Sequence, residues 1–543
     1  MSDPSYTDIA LRLERLTELS VELSTNHDIA LLQERILKAA KSMTHADGGT
    51  LYRTSADRKS LSFHISINDS LGMYQGGTSG HKVDIPDIPL LTASGSKNLG
   101  AVAAYAANTG ISVNIQDVYQ VDVFNFSGMR KFDQQYNYHS QSFLTVPMLD
   151  HEDEVIGVLQ LINAKDPATG ATRAFTDTDQ RFIEALASQA AIAITNSQLI
   201  ARLENLFESF VKLINIGIDE KSPHTGRHCE HVPALTMMLA DAVHNTEQGV
   251  FADFQMTKRD RKQLWIAGLL HDCGKITTPV HVVEKATKLE TIFDRIHLLD
   301  TRFEVLKRDA EIRALKEKLS YGSDTRHHDE INRRLSSELA TIDNDRNFLR
   351  HANIGTESMS ADDQKRVIDI ARRYTWSGPD GEERDLLDDE EVGNLNIRAG
   401  TLNSQEREII NNHIGVTIRM LESLPWPKHL QNVPEYAGGH HERMDGQGYP
   451  RGLRGDQMSV QSRMMAIADI FEALTAKDRP YKKGKSLSES LHILGGFRLR
   501  NHIDPDLFDV FIRKKVYLDY ARRFMDPAQI DHVDESRIPG YVP

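Results

Sequence analysis

The sequence predicts a multidomain chain: an N-terminal α+β domain, a long connecting helix, and a C-terminal all-α domain that carries a helical, coiled-coil-like insertion. Three observations predict this. Between about residues 45 and 165, short β-branched and aromatic segments are separated by Gly, Asp, Asn and Pro, as strands are. From 175 to 214 apolar residues recur every three or four positions with no proline. After 215 the apolar runs keep helical spacing to the end. A length of 543 residues also asks for at least two separate cores.

In chain order, Ile9, Leu11, Leu13, Leu16 and Leu19, then Leu31, Leu32, Ile36 and Leu37, predict two amphipathic helices, the first placed at 1–19. The α+β domain is placed at 20–195, with strands in "GTLYRT", "LSFHISI", "SFLTVPML" and "EVIGVLQLINA". Residues 196–214 form the connecting helix. Its heptad spacing suits joining two domains and pairing with a second copy in a homodimer; the alternative is a helix packed only on its own domain. The helical domain spans 215–490 and a helical extension 491–543. Within it, 288–398 is an insertion: Ile292, Ile296, Leu299, Phe303, Leu306 and Ala310 alternate by four and three in a charged background. A polar break at "SYGSDTRHHDE" and a second stretch near Leu335, Leu339 and Ile342 predict a helical hairpin.

A formal charge of -14 argues against broad binding to DNA or RNA, whose affinity comes from lysine and arginine neutralising phosphates. No apolar run approaches the roughly 20 residues that span a bilayer, and no basic-then-apolar leader is present. The expected compartment is the cytoplasm, without membrane contact. Two cysteines, Cys229 and Cys273, cannot build a disulfide framework.

Metal-ligand residue types cluster in five places: "SPHTGRH" (222–228), "LLHDCGK" (269–275), His413, "HHERMDGQGYP" (440–450) and Asp469. Ser222 and Pro223 have the form of an N-cap and first helical proline, starting a helix on which His224 and His228 share a face. His271 and Asp272 end an apolar helix that Gly274 breaks. The set exceeds what one cation needs, and paired cations can stabilise both the attacking and the leaving oxygen of a phosphodiester. Gly446 and Gly448 let backbone approach a ligand closely, and Tyr449–Pro450 stiffens that turn. His297 and "HHD" at 327–329 lack apolar walls and are expected to be solvated.

Taken in order, "HTGRH", "LLHDCGKI", "GTLNSQEREIINNHIG", "HHERMDGQGYPRGL" and "AIADIFEALTAKDRPYKKG" resemble the HD-GYP phosphodiesterases, a bacterial branch of the HD metal-dependent phosphohydrolases. The resemblance covers about 207–287 and 399–490. It implies one metal held by His228, His271, Asp272 and Asp469, and a second held by Asp272 as bridge with His413, His440 and His441. Lys275 would contact the scissile phosphate, and Arg479 with Lys482 or Lys483 the other phosphates, with Gly446 and Tyr449 in the substrate-binding turn. His224 departs from the family's glutamate or tyrosine, leaving two or three divalent ions open, with Glu220 or Glu472 as further candidates. Iron or manganese suits the mixed nitrogen and oxygen shell.

The first part resembles a GAF sensory domain through "AAYAANTGISVNIQDVY", "FDQQYNYHSQSFLTVPML" and "EVIGVLQLINAKD". Asn163, Lys165, Phe175 and Asp179 loosely resemble the signature of cyclic-nucleotide-binding members. A small ligand there, or a domain that only dimerises, both fit. The whole implies a phosphodiesterase converting cyclic di-GMP to linear pGpG or GMP under GAF control. The alternatives are a cyclic-dinucleotide receptor with little turnover, or hydrolysis of the hybrid 3',3'-cGAMP.

Overall fold

The structure is a computed structural model that describes residues 4–25, 28–221, 227–322, 325–355, 358–477 and 484–542. It divides into two compact units, Met1–Phe207 and Glu208–Pro543. No helix among the described residues is long and apolar enough to cross a membrane.

The first unit opens with α1 (Pro4–Thr25) and α2 (Ile29–Thr44), the latter started by Asp28, whose side chain accepts from the amides of Ala30 and Leu31. An eight-stranded antiparallel sheet follows: β1 (Ala46–Thr54), β2 (Ser60–Asn68), β3 (Met73–Gly76), β4 (Ile88–Pro89), then after α3 (Val102–Thr109) β5 (Val113–Ile115), and after α4 (Ser127–Tyr136) β6 (Phe143–Leu149), β7 (Val155–Lys165) and β8 (Thr172–Arg173). The main path runs β3-β2-β1-β7-β6-β5.

Side-chain alternation splits the core between the two faces. Leu51, Leu159 and Leu161 pack with Leu32, Ile36, Leu37 and Leu186 on one side, while Tyr52 and Val158 pack with Ala103 and Ala104 on the other. The four longer strands lie where the β-branched and aromatic segments place them. The short edge strands β3, β4, β5 and β8 carried no comparable pattern.

The residues singled out by the loose nucleotide-binding signature are engaged in structural bonds. Asn163 Oδ1 accepts from Gln141 N at 2.7 Å, and its Nδ2 donates to His139 O at 2.7 Å. Lys165 pairs with Asp47 and donates to Ser70 Oγ at 2.8 Å. Phe175 is buried, and Asp179 accepts from Arg12 at 2.8 Å and Arg173 at 2.7 Å.

Helix α5 (Asp177–Lys221) is unbroken over 45 residues, longer than the stretch expected. The second unit continues with α6 (His228–His244), α7 (Lys258–Leu270) and α8 (Val280–Val283). The expected helix start at Ser222–Pro223 lies outside the described residues; α6 begins at His228. The segment expected to be an insertion follows as α9 (Ile296–Ser320), α10 (Thr325–Asn353), α11 (Ala361–Arg373), a two-stranded hairpin of β9 (Thr375–Ser377) and β10 (Glu383–Asp385), and α12 (Asp389–Leu395).

One detail adds to the helical reading after 215, and one expectation needs correcting. "GPDG" at 378–381 turns the chain between β9 and β10, with Gly381 left-handed at φ 81°. Ile292 does not join the seam: it is 94% exposed and precedes the helix, whose first amide, Ile296 N, is taken up by Asp294 Oδ1 at 3.0 Å. Ile296, Leu299, Phe303, Leu306 and Ala310 are buried as the spacing requires.

The remaining helices are α13 (Ser404–Asn411), α14 (His413–Glu422), α15 (Val433–Gly438), α16 (Val460–Thr475), α17 (Leu487–Leu499), α18 (Pro505–Arg513) and α19 (Val516–Phe524). Capping boxes start α7 (Thr257 with Asp260) and α13 (Asn403 with Glu406). In α16, Met464, Met465, Ile467, Ala468 and Phe471 are all buried, so the helix that carries Asp469 is packed almost all round.

Candidate metal centre

Five segments of the second unit deliver the ligand-type side chains: His228 at the start of α6, His271 and Asp272 just past α7, His413 as the first residue of α14, His440 and His441 in the turn after α15, and Asp469 within α16. The ring nitrogens are aimed by the backbone in a repeated way. His271 Nδ1 donates to Gly268 O at 2.6 Å, His440 Nδ1 to Ala437 O at 2.6 Å, and His413 Nδ1 to Ile410 O. Each bond reaches the carbonyl three residues back. It assigns the proton to Nδ1 and leaves Nε2 as the lone-pair donor facing inward. His228 achieves the same with a carboxylate, its Nδ1 lying 2.5 Å from Glu472 Oε2.

Two ligand triads result. The donor atoms of His228, His271 and Asp272 lie within 4.8 Å of one another, and so do those of His413, His440 and His441. Asp272 joins them: its Oδ2 is 3.2 Å from both His228 Nε2 and His271 Nε2, while its Oδ1 is 3.1 Å from His413 Nε2. Asp469 Oδ1 faces the first triad, 3.2 Å from His228 Nε2 and 3.9 Å from His271 Nε2.

Burial of this set is nearly complete, yet Asp272 Oδ1, His413 Nε2 and His440 Nε2 find no hydrogen-bond partner among the described residues. Buried polar atoms are seldom left so, and cations between the triads would satisfy all three. The charges point the same way. Burial opposes positive charge at His228, but Glu472, Asp272 and Asp469 outweigh it and raise the imidazole well above its usual range, so these carboxylates draw positive charge here, a proton or the cation that would displace it. Burial works against ionised Asp272 too, and Lys275 with the neighbouring imidazoles overcomes it and holds the carboxyl well below its usual range. Burial and neighbouring imidazoles lower His440 and His441, the latter to about 4, so both stay neutral donors. The residues present therefore fit divalent cations.

The close approach of two elements sets the spacing between the triads. Gly274, in the 3₁₀ turn Cys273–Thr277, donates its amide to Thr417 Oγ1 of α14 at 2.9 Å. A Cβ at 274 would stand 2.0 Å from His413 O, so only glycine lets Asp272 and His413 meet. Lys275 Nζ lies 2.5 Å from Asp272 Oδ2 and lines the cleft above the centre.

In the 440–450 turn, Tyr449 stacks on His441 with ring centroids 4.9 Å apart, and its amide donates to His441 O at 3.2 Å. Gly446 takes φ 77°, and a Cβ on Gly448 would meet Glu442 Cα at 2.5 Å. Glu442, buried, anchors the turn by accepting from Arg451 N at 2.8 Å and Leu453 N at 2.9 Å. The cleft has a volume of about 1060 Å³ and is bordered by His228, Lys275, His413, His441, Tyr449 and Asp469.

The structure thus brings together His228, His271, Asp272, His413, His440, His441, Asp469, Lys275, Tyr449 and Gly446. His224, Arg479, Lys482 and Lys483 lie outside the described residues. Glu220 is exposed, and Glu472 acts on the far nitrogen of His228 rather than among the donor atoms of the triads. His297 is exposed, and His327 stacks on Tyr321 at 4.5 Å, so neither joins the centre. Glu442 and Thr417 were not anticipated from sequence. Glu442 stood beside the paired histidines, whereas nothing local marked Thr417.

Residues 28–194 match the GAF domain family, and residues 225–373 and 390–507 match HD domain families. Over 81 residues the chain is 48% identical to the 3'3'-cGAMP-specific phosphodiesterase 1 of Vibrio cholerae, covering 15% of this chain and 19% of that protein. Over 131 residues it is 34% identical to a cyclic di-GMP phosphodiesterase of Thermotoga maritima, covering 24% of this chain and 35% of that one. These matches thus span about a fifth to a third of those relatives' length. The GAF domain of an Acinetobacter phosphoenolpyruvate-protein phosphotransferase is 14% identical and covers 35% of this chain and 96% of that chain, with a TM-score of 0.25.

Fold and centre together define a helical HD domain, the class that binds divalent metal ions through histidine and aspartate, preceded by a GAF domain. Within that class, the "HHERMDGQGYP" turn at 440–450 is the feature by which the chain resembles the HD-GYP phosphodiesterases.

Proposed function

We propose that the protein is a metal-dependent phosphodiesterase that hydrolyses cyclic di-GMP to linear pGpG or on to GMP, in the cytoplasm and under control of its GAF domain. The observation that carries this reading is Asp272, whose Oδ2 faces His228 and His271 and whose Oδ1 faces His413 of the other triad, 3.1–3.2 Å away. Bound divalent ions, iron or manganese by donor type, would supply Lewis-acid stabilisation of phosphate oxygens and acidify water. His228, His271, Asp272 and Asp469 would hold one, and Asp272, His413, His440 and His441 the other. Lys275 would neutralise charge on the scissile phosphate, and Tyr449 would hold His441 while presenting its edge to substrate. Arg479, Lys482 and Lys483 are proposed to grip the remaining phosphates, and His224 to serve a third ion.

The names of relatives acting on 3'3'-cGAMP support a second reading, hydrolysis of that hybrid dinucleotide. Protein loaded anaerobically with Fe(II) or Mn(II) should release linear dinucleotide or mononucleotide from one of the two substrates. Tight binding without product would instead favour a receptor. Asp272→Ala should remove both bound metal and turnover, and persisting turnover would place the chemistry elsewhere.

Regulation is proposed to run through a homodimer. On α5, Leu199, Leu203, Leu206, Phe210 and Leu213 recur by four and three and stay 41–65% exposed along with their neighbour Ile200. Leu206→Glu should convert a dimer to a monomer in sedimentation velocity, and an unchanged sedimentation coefficient would remove this helix from the interface.

A further inference from the structure

The proposed chemistry leaves the inserted segment 288–398 without a role. It has its own core, including Leu299, Phe303, Ile342, Leu349 and Val367. It is also fastened rigidly where it leaves and rejoins the HD domain. Lys285 Nζ lies 2.7 and 2.8 Å from the two carboxylate oxygens of Glu406, and Thr401 Oγ1 donates to Lys285 O at 2.9 Å. Buried Asn353, the last residue of α10, accepts from Lys288 N through its carbonyl at 2.9 Å and from Leu289 N through its side chain at 2.8 Å.

Ile354 comes next. It bridges to Thr287, so its backbone is held, yet its surface is 52% open. Gly355 then passes so close to the returning chain that a Cβ would lie 2.7 Å from Thr401 Cγ2. Ile354 and Gly355 border the same cleft as His228, His413 and Asp469, with Arg407 and Asn411 also in the lining.

A branched aliphatic side chain left open in a concave site, whose lining it shares with Val283, Leu402 and Ile410, has its surface covered only when something flat and apolar binds there. Phosphates and riboses do not meet that description; a purine base does, with polar edges for groups such as Arg407 and Asn411. Resting on the phosphodiesterase reading above, we infer that Ile354 is the wall of a purine-base subsite, so that the insertion sets affinity and selectivity for the substrate rather than the chemistry.

Ile354→Ala and Ile354→Asp, with Leu319→Ser at the 81% exposed far end of α9 as control, would be assayed on cyclic di-GMP and on methyl p-nitrophenyl phosphate, which has no base. An apolar contact of this size is worth about tenfold in discrimination. Ile354→Asp should raise KM for the cyclic dinucleotide about tenfold with kcat within about twofold, the signature of lost uniform binding. Ile354→Ala should fall between, Leu319→Ser should match the parent, and the base-free diester should be unaffected. An unchanged KM in both Ile354 variants, or equal losses on both substrates, overturns the inference while leaving the phosphodiesterase reading intact. If the parent turns over neither substrate, that reading fails instead. The subsite then stands or falls on whether Ile354→Asp weakens the Kd for cyclic di-GMP about tenfold.

Discussion

Adding one methyl group at residue 274 should loosen the centre more than removing one of its outer contacts. In Gly274→Ala the new Cβ would stand 2.0 Å from His413 O, 2.6 Å from Thr417 N and 2.7 Å from Thr417 Oγ1, where ordinary contact begins at 3.4 Å. Two of these neighbours are backbone atoms of α14 and cannot swing aside. The turn at 273–277 and α14 must therefore part by about 1.4 Å at the tightest point. The overpacking costs about 1–3 kcal/mol, and losing the Gly274 N–H bond to Thr417 Oγ1, now 2.9 Å, adds about 1–3 kcal/mol for a buried amide. We expect a loss of about 3 kcal/mol, a large share of the roughly 5–15 kcal/mol that holds a domain folded. Metal–ligand distances tolerate only about 0.2 Å, so withdrawing Asp272 from His413, now 3.1 Å apart, should cut metal content to about half or less. Urea denaturation and elemental analysis of the anaerobically loaded protein measure both. Thr417→Val provides the comparison: it deletes the acceptor without a clash, so it should lower stability by about 1–2 kcal/mol and keep the metal. A Gly274→Ala protein with the parent's urea midpoint and metal content would refute the close approach as the source of the spacing between the triads.

Glu472→Gln keeps the shape but removes the charge holding His228 Nδ1 at 2.5 Å, so metal affinity in competition with a chelator should fall about 10–100-fold; an unchanged affinity would make this contact incidental. Exhaustive chelation should lower the melting temperature of the chain by about 10 °C and readdition of Mn(II) should restore it, as expected for an ion present at roughly a thousand times its Kd; identical melting with and without ions would mean that the triads bind none. In the first unit, burial tends to raise the Glu34 pKa, but hydrogen bonds from Lys38 and Thr78 prevail and lower it from 4.5 to about 2. Because the folded value lies below the unfolded one, its contribution is complete above pH 4.5 and drains away as pH falls toward 2. Glu34→Gln should flatten the acid limb of stability within that window, and an unaltered slope would show that other carboxylates govern it.

The candidate donors were legible because clustered histidines and aspartates are chemically distinctive and because Gly274 and the glycines at 446 and 448 mark where the chain must break, while their assignment to two ions came from the resemblance. The long strands were legible from β-branched and aromatic segments bounded by turn residues, and α5 from apolar residues every three or four positions. What escaped depended on tertiary closure. Thr417 meets Gly274 across 143 positions, and Glu472, named only as a further ligand candidate, meets the outer nitrogen of His228 across 244, separations that leave no local trace of either contact. Periodicity also extends too far: Ile292 continues the apolar rhythm of α9, but Asp294 captures the first helical amide and stops the helix short of it.

The same distinction bears on how the centre and its substrate wall are specified. The donors of each triad are supplied by residue type, but whether two triads become one centre depends on Asp272 reaching both. That reach depends on a missing Cβ one residue beyond Cys273. Ile354 is specified in the opposite way. Its chemistry is unremarkable, and its position is set by the carbonyl and side chain of Asn353 and by the Lys285–Glu406 pair at the root of the insertion. Substitutions at the centre should therefore alter metal content and turnover together, whereas substitutions at the root of the insertion should alter substrate affinity while metal content stays at the parent's value.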